Sequence, residues 1–284
     1  MIVGGLTLLI LGSVVAALAD TLTSLAIGRL LQGSGAIASA TMALAADYTR
    51  VEQRTKASAV IGASIGVSFA LALVLGPVLA AWGGLSRVFE TTAILGGLGL
   101  LVVVFWLPPT PEISEAGRSH IADRERLGEA LWGRGLGALY GSIFCLHLLL
   151  MAAFTAIPSV MIHEVALPPE QHAWMYLMTL MGALPGVAIL VRKHRHLADP
   201  RGLIAVAILL TVMGLVVALW SVSVWTLGVG LVLFFAGFTA LETILPALVS
   251  IFAPATLRGT AMGIFSSAQF LGVFAGGALG GNAL

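Results

Sequence analysis

Three ionisable side chains sit well inside long apolar runs of this 284-residue chain: Arg29, His147 and Glu242. A charge at bilayer depth is costly unless paired or hydrated, so each is a functional suspect. Glu242 is the one carboxylate deep within such a run, where it could load and release a proton. Pro246, one turn on, brings no N–H to the helix ladder, frees a carbonyl and permits a kink. Histidine titrates near physiological pH, which makes His147 a second proton site. Arg29 would stabilise the anion of a nearby acid. Each has a structural reading beside the chemical one. Glu242 could stay protonated and bond a neighbouring helix, His147 could be a neutral packed imidazole, and Arg29 could bond carbonyls or Gln32.

The elements that would position these groups follow from composition. Residues are 59% hydrophobic and only 10% charged, with a mean hydropathy of +1.05. That leaves too little charge to cover a soluble domain of this size. A membrane helix needs about 20 mostly apolar residues. Nine stretches qualify, near 2–19, 21–48, 55–82, 88–107, 137–161, 172–191, 202–220, 224–252 and 259–281. Two-residue alternation is absent, which argues against a β-barrel. The predicted fold is an all-α membrane bundle. A net charge of +1 gives no footprint for nucleic acid. The lone Cys145 forms no internal disulfide, and no zinc-type cysteine spacing occurs. Ala17-Leu18-Ala19 imitates a signal-peptidase site, but nothing basic precedes Arg29, so the first stretch reads as a retained span.

Basic residues fall in alternate gaps. Arg50, Arg54 and Lys56 follow the second span; Arg118, Arg124, Arg126 and Arg134 the fourth; Arg192, Lys193, Arg195 and Arg201 the sixth; and Arg258 the eighth. The other gaps hold only Arg87. Positive residues stay cytoplasmic, so the even gaps face the cytoplasm, with Met1 inside and Leu284 outside. The Pro-rich gap 108–136 reads as a cytoplasmic linker between bundles 1–107 and 137–284, with a short surface helix near 120–132.

Glycine and proline shape the third span. Gly62-x-x-x-Gly66 permits close helix approach, and Gly76-Pro77 weakens the helix near its outer end. The reading is a hinge or seal, or else generic glycine packing. The ninth span repeats the grammar at Gly272, Gly276 and Gly280. A weak internal repeat sets Gly33 on Gly237, Ala43 on Ala247, Arg54 on Arg258 and Gly76 on Gly280, as in carriers built from two like halves.

The run Gly28-Arg29-Leu30-Leu31-Gln32-Gly33-Ser34-Gly35-Ala36 resembles the fourth-helix motif of the major facilitator superfamily, and Gly62 to Pro77 resembles the fifth-helix motif of its drug:proton antiporters. Leu241-Glu242-Thr243-Ile244-Leu245-Pro246 with Arg258-Gly259-Thr260-Ala261-Met262-Gly263 is similar to helices ten and eleven of the YajR-like branch. The resemblance covers nearly the whole chain. It implies equivalents of helices 3–6 and 7–11 without those of helices 1, 2 and 12, hence a truncated carrier. It also implies proton coupling through Arg29, a cavity histidine at His147 linked to Glu242, and a conformational latch at Asp47. The loop that would receive Asp47 has no counterpart here, leaving Arg50 or Arg54 as ordinary surface partners.

The expected function is therefore secondary transport in a bacterial inner membrane: proton-coupled export of a small amphipathic solute, or a transport-inactive remnant of such a carrier. Lipid, protons and the solute are the expected partners; no cofactor is implied, and neither substrate nor oligomeric state is legible. Tyr140, Phe144, Met151 and Phe154 line an apolar cavity or form a packing stripe. His194 and His196 read as part of a solvated basic loop rather than a metal site, and His163, Glu164, Glu170 and His172 as a polar outer loop. No Walker A, H-E-x-x-H or G-x-S-x-G sequence occurs, so ATP-driven pumping and membrane proteolysis have no support and no enzyme is expected.

Overall fold

The computed structural model describes residues 2–35, 53–107, 135–196, 201–254 and 257–282, with positions 37, 40, 41, 44, 48, 49, 128, 131 and 133 between them. Backbone N–H and C=O groups in hydrocarbon have no water to bond, so a spanning chain of this composition must satisfy them within helices. The described residues form α1 (Ile2–Ala17), α2 (Leu22–Ser34), α3 (Arg54–Trp106), α4 (Leu136–His163), α5 (Pro169–His196), α6 (Arg201–Leu219), α7 (Val224–Phe252) and α8 (Arg258–Asn282). By length and composition, six stretches of the described chain can cross a membrane: Val67–Trp106, Leu136–His163, Pro169–Lys193, Arg201–Leu219, Val224–Phe252 and Thr260–Gly281. The shorter apolar α1 adds 16 residues.

Two expected spans, 55–82 and 88–107, run together as α3. The break between them is confined to Gly83 (φ −161°, ψ 28°) and Gly84 (φ 72°, ψ −168°). Only glycine takes the second conformation without strain. The helix continues through Pro77, and its break falls at the glycine pair, inside the gap expected between the two spans. Arg87, the lone basic residue of the odd gaps, is tied down at this corner. Its guanidinium donates to Glu90 Oε2 at 2.6 Å and lies 5.6 Å from the Trp82 ring centroid. An exposed tryptophan beside an ion pair suits the membrane interface. The same holds for the tight α6–α7 turn, flanked by exposed Trp220 and Trp225.

Two helix starts are capped by side chains. Thr21 precedes α2 in extended conformation; its Oγ1 accepts from Ser24 N at 3.1 Å while Ser24 Oγ accepts from Thr21 N at 3.2 Å. Before α7, Ser223 Oγ accepts from Thr226 N at 3.2 Å.

The chain divides into two compact units, Met1–Ser119 and His120–Leu284, with the boundary inside the predicted linker. Within the first unit α1 packs on α2 and α3; within the second α4 packs along α8, and α7 packs along α6 and α5, with thinner contact between α7 and the α4–α8 pair. The core of the second unit gathers Ile143 and Leu146 of α4, Leu241, Ile244 and Leu245 of α7, and Phe265 of α8.

Glycines set how closely these helices approach. A Cβ on Gly28 would lie 2.6 Å from the backbone N of Ala16, and one on Gly230 would lie 2.6 Å from that of Ala218. A Cβ on Gly12 would strike the backbone of Gln32, and one on Gly214 that of Phe234. The α1–α2 and α6–α7 pairs thus repeat one packing at a constant offset. That offset is two residues shorter than the one predicted: Gly35, which meets Gly5 and Leu9, corresponds to Gly237, which meets Ala207 and Thr211. Gly33 has open space around it, so pairing it with Gly237 matched letters but not contacts.

Gly28→Ala and Gly230→Ala should each lower stability by ~1–3 kcal/mol, because a methyl forced onto packed backbone displaces it. Gly228→Ala on α7, where a Cβ has open space, should be neutral or gain up to ~1 kcal/mol from helix propensity. Denaturant unfolding in detergent micelles checks the ranking, and equal losses at all three sites would refute it.

Candidate functional site

The buried face of α4 carries Leu136, Leu139, Tyr140, Ile143, Leu146, His147, Leu150, Ala153, Ile157 and Met161, which recur with the helical period on one side. His147 therefore points into the second unit among aliphatic neighbours and is buried. Its Nδ1 lies 3.2 Å from the carbonyl oxygen of Ile143. A carbonyl only accepts, so Nδ1 carries the hydrogen, and the neutral imidazole keeps Nε2 bare as an acceptor.

Gln269 of α8 fills that acceptor. Its Nε2 lies 2.8 Å from His147 Nε2 and donates to Glu242 Oε1 at 3.1 Å, so one amide nitrogen spends both hydrogens on the two ionisable groups. The backbone explains how it reaches them. A Cβ on Gly272 would strike the carbonyl of Phe144, one on Gly276 that of Leu148, and one on Gly280 would lie 2.8 Å from Thr155 Cβ. These bare positions let α8 lie against α4. Gln269, one turn before Gly272 on the same face, is thereby held beside His147.

Glu242 is half-buried on α7, between fully buried Leu241 and Ile244. Its Oε2 is covered, has no hydrogen-bond partner among the described residues, and lies 3.7 Å from His147 Nε2. A covered acceptor without a donor is unfavourable; a proton on it removes the carboxylate's charge and makes Oε2 a donor that needs an acceptor in its turn. Pro246 lies within the continuous α7 and has no N–H to give the carbonyl of Glu242, four residues before it, so the backbone ladder loosens at the acid itself. The Phe238 ring meets the imidazole edge-on, 5.5 Å between centroids, and stacks on Phe234 at 5.9 Å. Phe154 contacts Tyr176 and Phe235, at 5.0 and 6.5 Å. Of the predicted stripe, Tyr140 is buried, and Phe144, Met151 and Phe154 are half-buried. The Tyr176 hydroxyl is buried without a hydrogen-bond partner among the described residues.

Arg29 is held within the first unit. It donates to Gln32 Oε1 at 2.7 Å, Gln32 Nε2 donates to Ser13 Oγ at 2.6 Å, and Ser13 Oγ donates to the Leu9 carbonyl at 2.7 Å. The guanidinium also lies 5.8 Å from the Phe89 ring centroid. Among the described residues no carboxylate lies within ion-pair distance of it. The glutamine contact weighed as the structural alternative is thus the one it makes.

Asp47 lies outside the described residues, as do the side chains of His194 and His196. Gly62 and Gly66 lie in the helical backbone of α3, and Gly76 has open space around it. His163 Nδ1 lies 3.0 Å from the Ser159 carbonyl, and His172 Nε2 lies 3.0 Å from that of Leu167, as in an ordinary capped loop. The residue missed from sequence is Gln269. Its signal was present: a lone amide inside the ninth span, three residues before a glycine ladder.

The sequence profile described as Major Facilitator Superfamily matches residues 1–277. The chain is similar to the inner membrane transport protein YajR of Escherichia coli, 39% identical over 283 residues, covering 99% of this chain and 62% of that protein. It thus spans less than two thirds of that relative. An uncharacterized transporter of Buchnera aphidicola is 28% identical over 274 residues, covering 96% of this chain and 70% of the relative. The crystal structure of the human organic anion transporter MFSD10 superposes with a TM-score of 0.64 at 20% identity, covering 98% of this chain and 69% of that one, a likeness of fold. With that profile running along nearly its whole length and its helices arranged as in a carrier of the same fold, this multi-pass membrane protein belongs to the Major Facilitator Superfamily.

Proposed function

We propose that this chain performs proton-linked movement of a small amphipathic solute across a bacterial inner membrane by alternating access, in the direction of export. The observation that carries the reading is the His147–Gln269–Glu242 cluster, two ionisable groups and an amide placed among apolar side chains. Groups of this kind are rare at bilayer depth and serve proton relays. The cluster also joins α7 to the α4–α8 pair, whose backbones approach α7 less closely than they approach each other. A proton added there changes the interaction between two helix groups rather than within one. A ligand shifts a conformational equilibrium only by its differential affinity for the two states, and a proton at such a joint has that difference. The aromatic side chains of this unit, the half-buried Phe154 and Phe238 among them, supply a surface for an apolar ring. Similarity to carriers of the same family supports transport as the activity.

In proteoliposomes holding the purified chain, an imposed pH gradient should drive uptake of a fluorescent amphipathic dye, with opposite proton movement seen by a pH indicator in the lumen. Glu242→Gln should bring both signals down to those of protein-free liposomes while leaving helical content unchanged. Gradient-driven flux that survives in Glu242→Gln removes the acid from the mechanism.

The charge asymmetry supports a cytoplasmic location for the segment between α5 and α6. A cysteine at position 196, in a Cys145→Ser background, should react with a membrane-impermeant maleimide from the cytoplasmic side alone. Reaction from the opposite face would invert the topology.

A further inference from the structure

Two groups 3.7 Å apart compete for one proton at this site: His147 at Nε2 and Glu242 at Oε2. They differ in what already faces them. His147 Nε2 receives an N–H from Gln269, and its Nδ1 hydrogen is committed to Ile143. A proton on Nε2 would set two donors against each other at 2.8 Å, and the amide would have to turn over. Turning it would present the Gln269 carbonyl oxygen to Glu242 Oε1, which is unfavourable while Glu242 is ionised. Glu242 Oε2 has no hydrogen-bond partner among the described residues. A proton there removes the carboxylate's charge and leaves both Gln269 hydrogen bonds in place, with His147 Nε2, 3.7 Å away, beyond the reach of the new O–H.

Resting on the proton-coupled reading above, we propose that Gln269 is a positioning residue that assigns the transported proton to Glu242 Oε2 and holds His147 as a neutral Nδ1–H acceptor. The proton arrives from water, forms one O–H bond on the carboxylate and leaves by the same bond; His147 does not become an imidazolium during the exchange. In Coulombic terms alone the opposite assignment is expected, since an imidazolium beside a carboxylate makes an ion pair. The amide reverses it by filling the imidazole nitrogen with a donor. Little else competes. Other ionisable groups on α4, α5, α6, α7 and α8 lie within two turns of a helix end, apart from the exposed Cys145 and from Tyr176, whose ring packs on Phe154. Arg201 and Arg258 stand at the first residues of α6 and α8.

The test is spectroscopic titration of the full chain in lipid nanodiscs. Infrared difference spectra should show a protonated carboxyl band that disappears in Glu242→Gln. Nitrogen-15 resonances of His147, assigned with His147→Gln, should report a neutral Nδ1–H ring throughout the pH range in which that band titrates. In Gln269→Leu, similar in size and without a donor, the carboxyl band should be lost and an imidazolium signal should appear in the same range. Gln269→Asn, which retains an amide, should restore part of the carboxyl band. An imidazolium beside an ionised Glu242 in the wild type, or a neutral Nε2–H ring, overturns the assignment without requiring any variant to fold. Unchanged spectra in Gln269→Leu also overturn it. These signals do not depend on flux: a cluster that titrates as described while no gradient drives dye uptake would refute the transport proposal and leave this one standing.

Discussion

Where α8 lies along α4, positions 272, 276 and 280 have no side chain, and at 272 and 276 the backbones come within the reach of one missing Cβ. The arrangement of polar groups in this half of the molecule depends on that contact. A side chain at Gly272 would push α8 away from the carbonyl of Phe144, and Gln269 would no longer meet His147. Lipid supplies no hydrophobic drive to press helices together, so close approach through small residues is the means available. Proximity in turn lets one short amide satisfy an imidazole and a carboxylate contributed by two other helices. Function at this site is downstream of packing.

The two units show what a shared packing does and does not impose. The α1–α2 and α6–α7 pairs use equivalent glycines to reach equivalent backbone atoms. Yet position 32 is a glutamine and its counterpart, 234, is a phenylalanine. In the first unit the crossing therefore carries the polar chain Arg29–Gln32–Ser13–Leu9. In the second the same place holds aromatic rings stacked toward Phe238 and His147. The repeat conserves helix geometry, because the glycines govern it, and leaves side-chain chemistry free to diverge, because neighbouring positions face open space or other helices.

At α7 three local features converge on one residue. Glu242 has a covered Oε2 without a donor among the described residues, Pro246 withholds an N–H from its carbonyl, and the amide of Gln269 meets its other oxygen. The first two are unfavourable in isolation. They are tolerated where the surrounding helices, with Leu241, Ile244 and Leu245 fully packed, over-determine the position. A group kept in such surroundings changes its contacts when its charge changes, which is what a switch between two bundle states requires.

Much of this was legible one residue at a time. Hydropathy marked the apolar runs, glycine ladders marked close helix contacts, and Glu242, His147 and Pro246 stood out because polar or ladder-breaking residues are costly in hydrocarbon. Those are properties of a single segment against its solvent, and a sequence carries them whole. Partnership is different in kind. Arg29 to Gln32 is one helical turn and could be anticipated; Gln269 to His147 and Glu242 spans three helices and 122 positions of chain, and no spacing rule predicts it. The true register of the internal repeat was likewise decided by which backbone atoms touch. Sequence alone determined which residues could not rest easily in a membrane, because solvation acts on each residue separately. Tertiary structure alone decided what relieved them, because hydrogen bonds and steric contact act between atoms that only the packed bundle brings together.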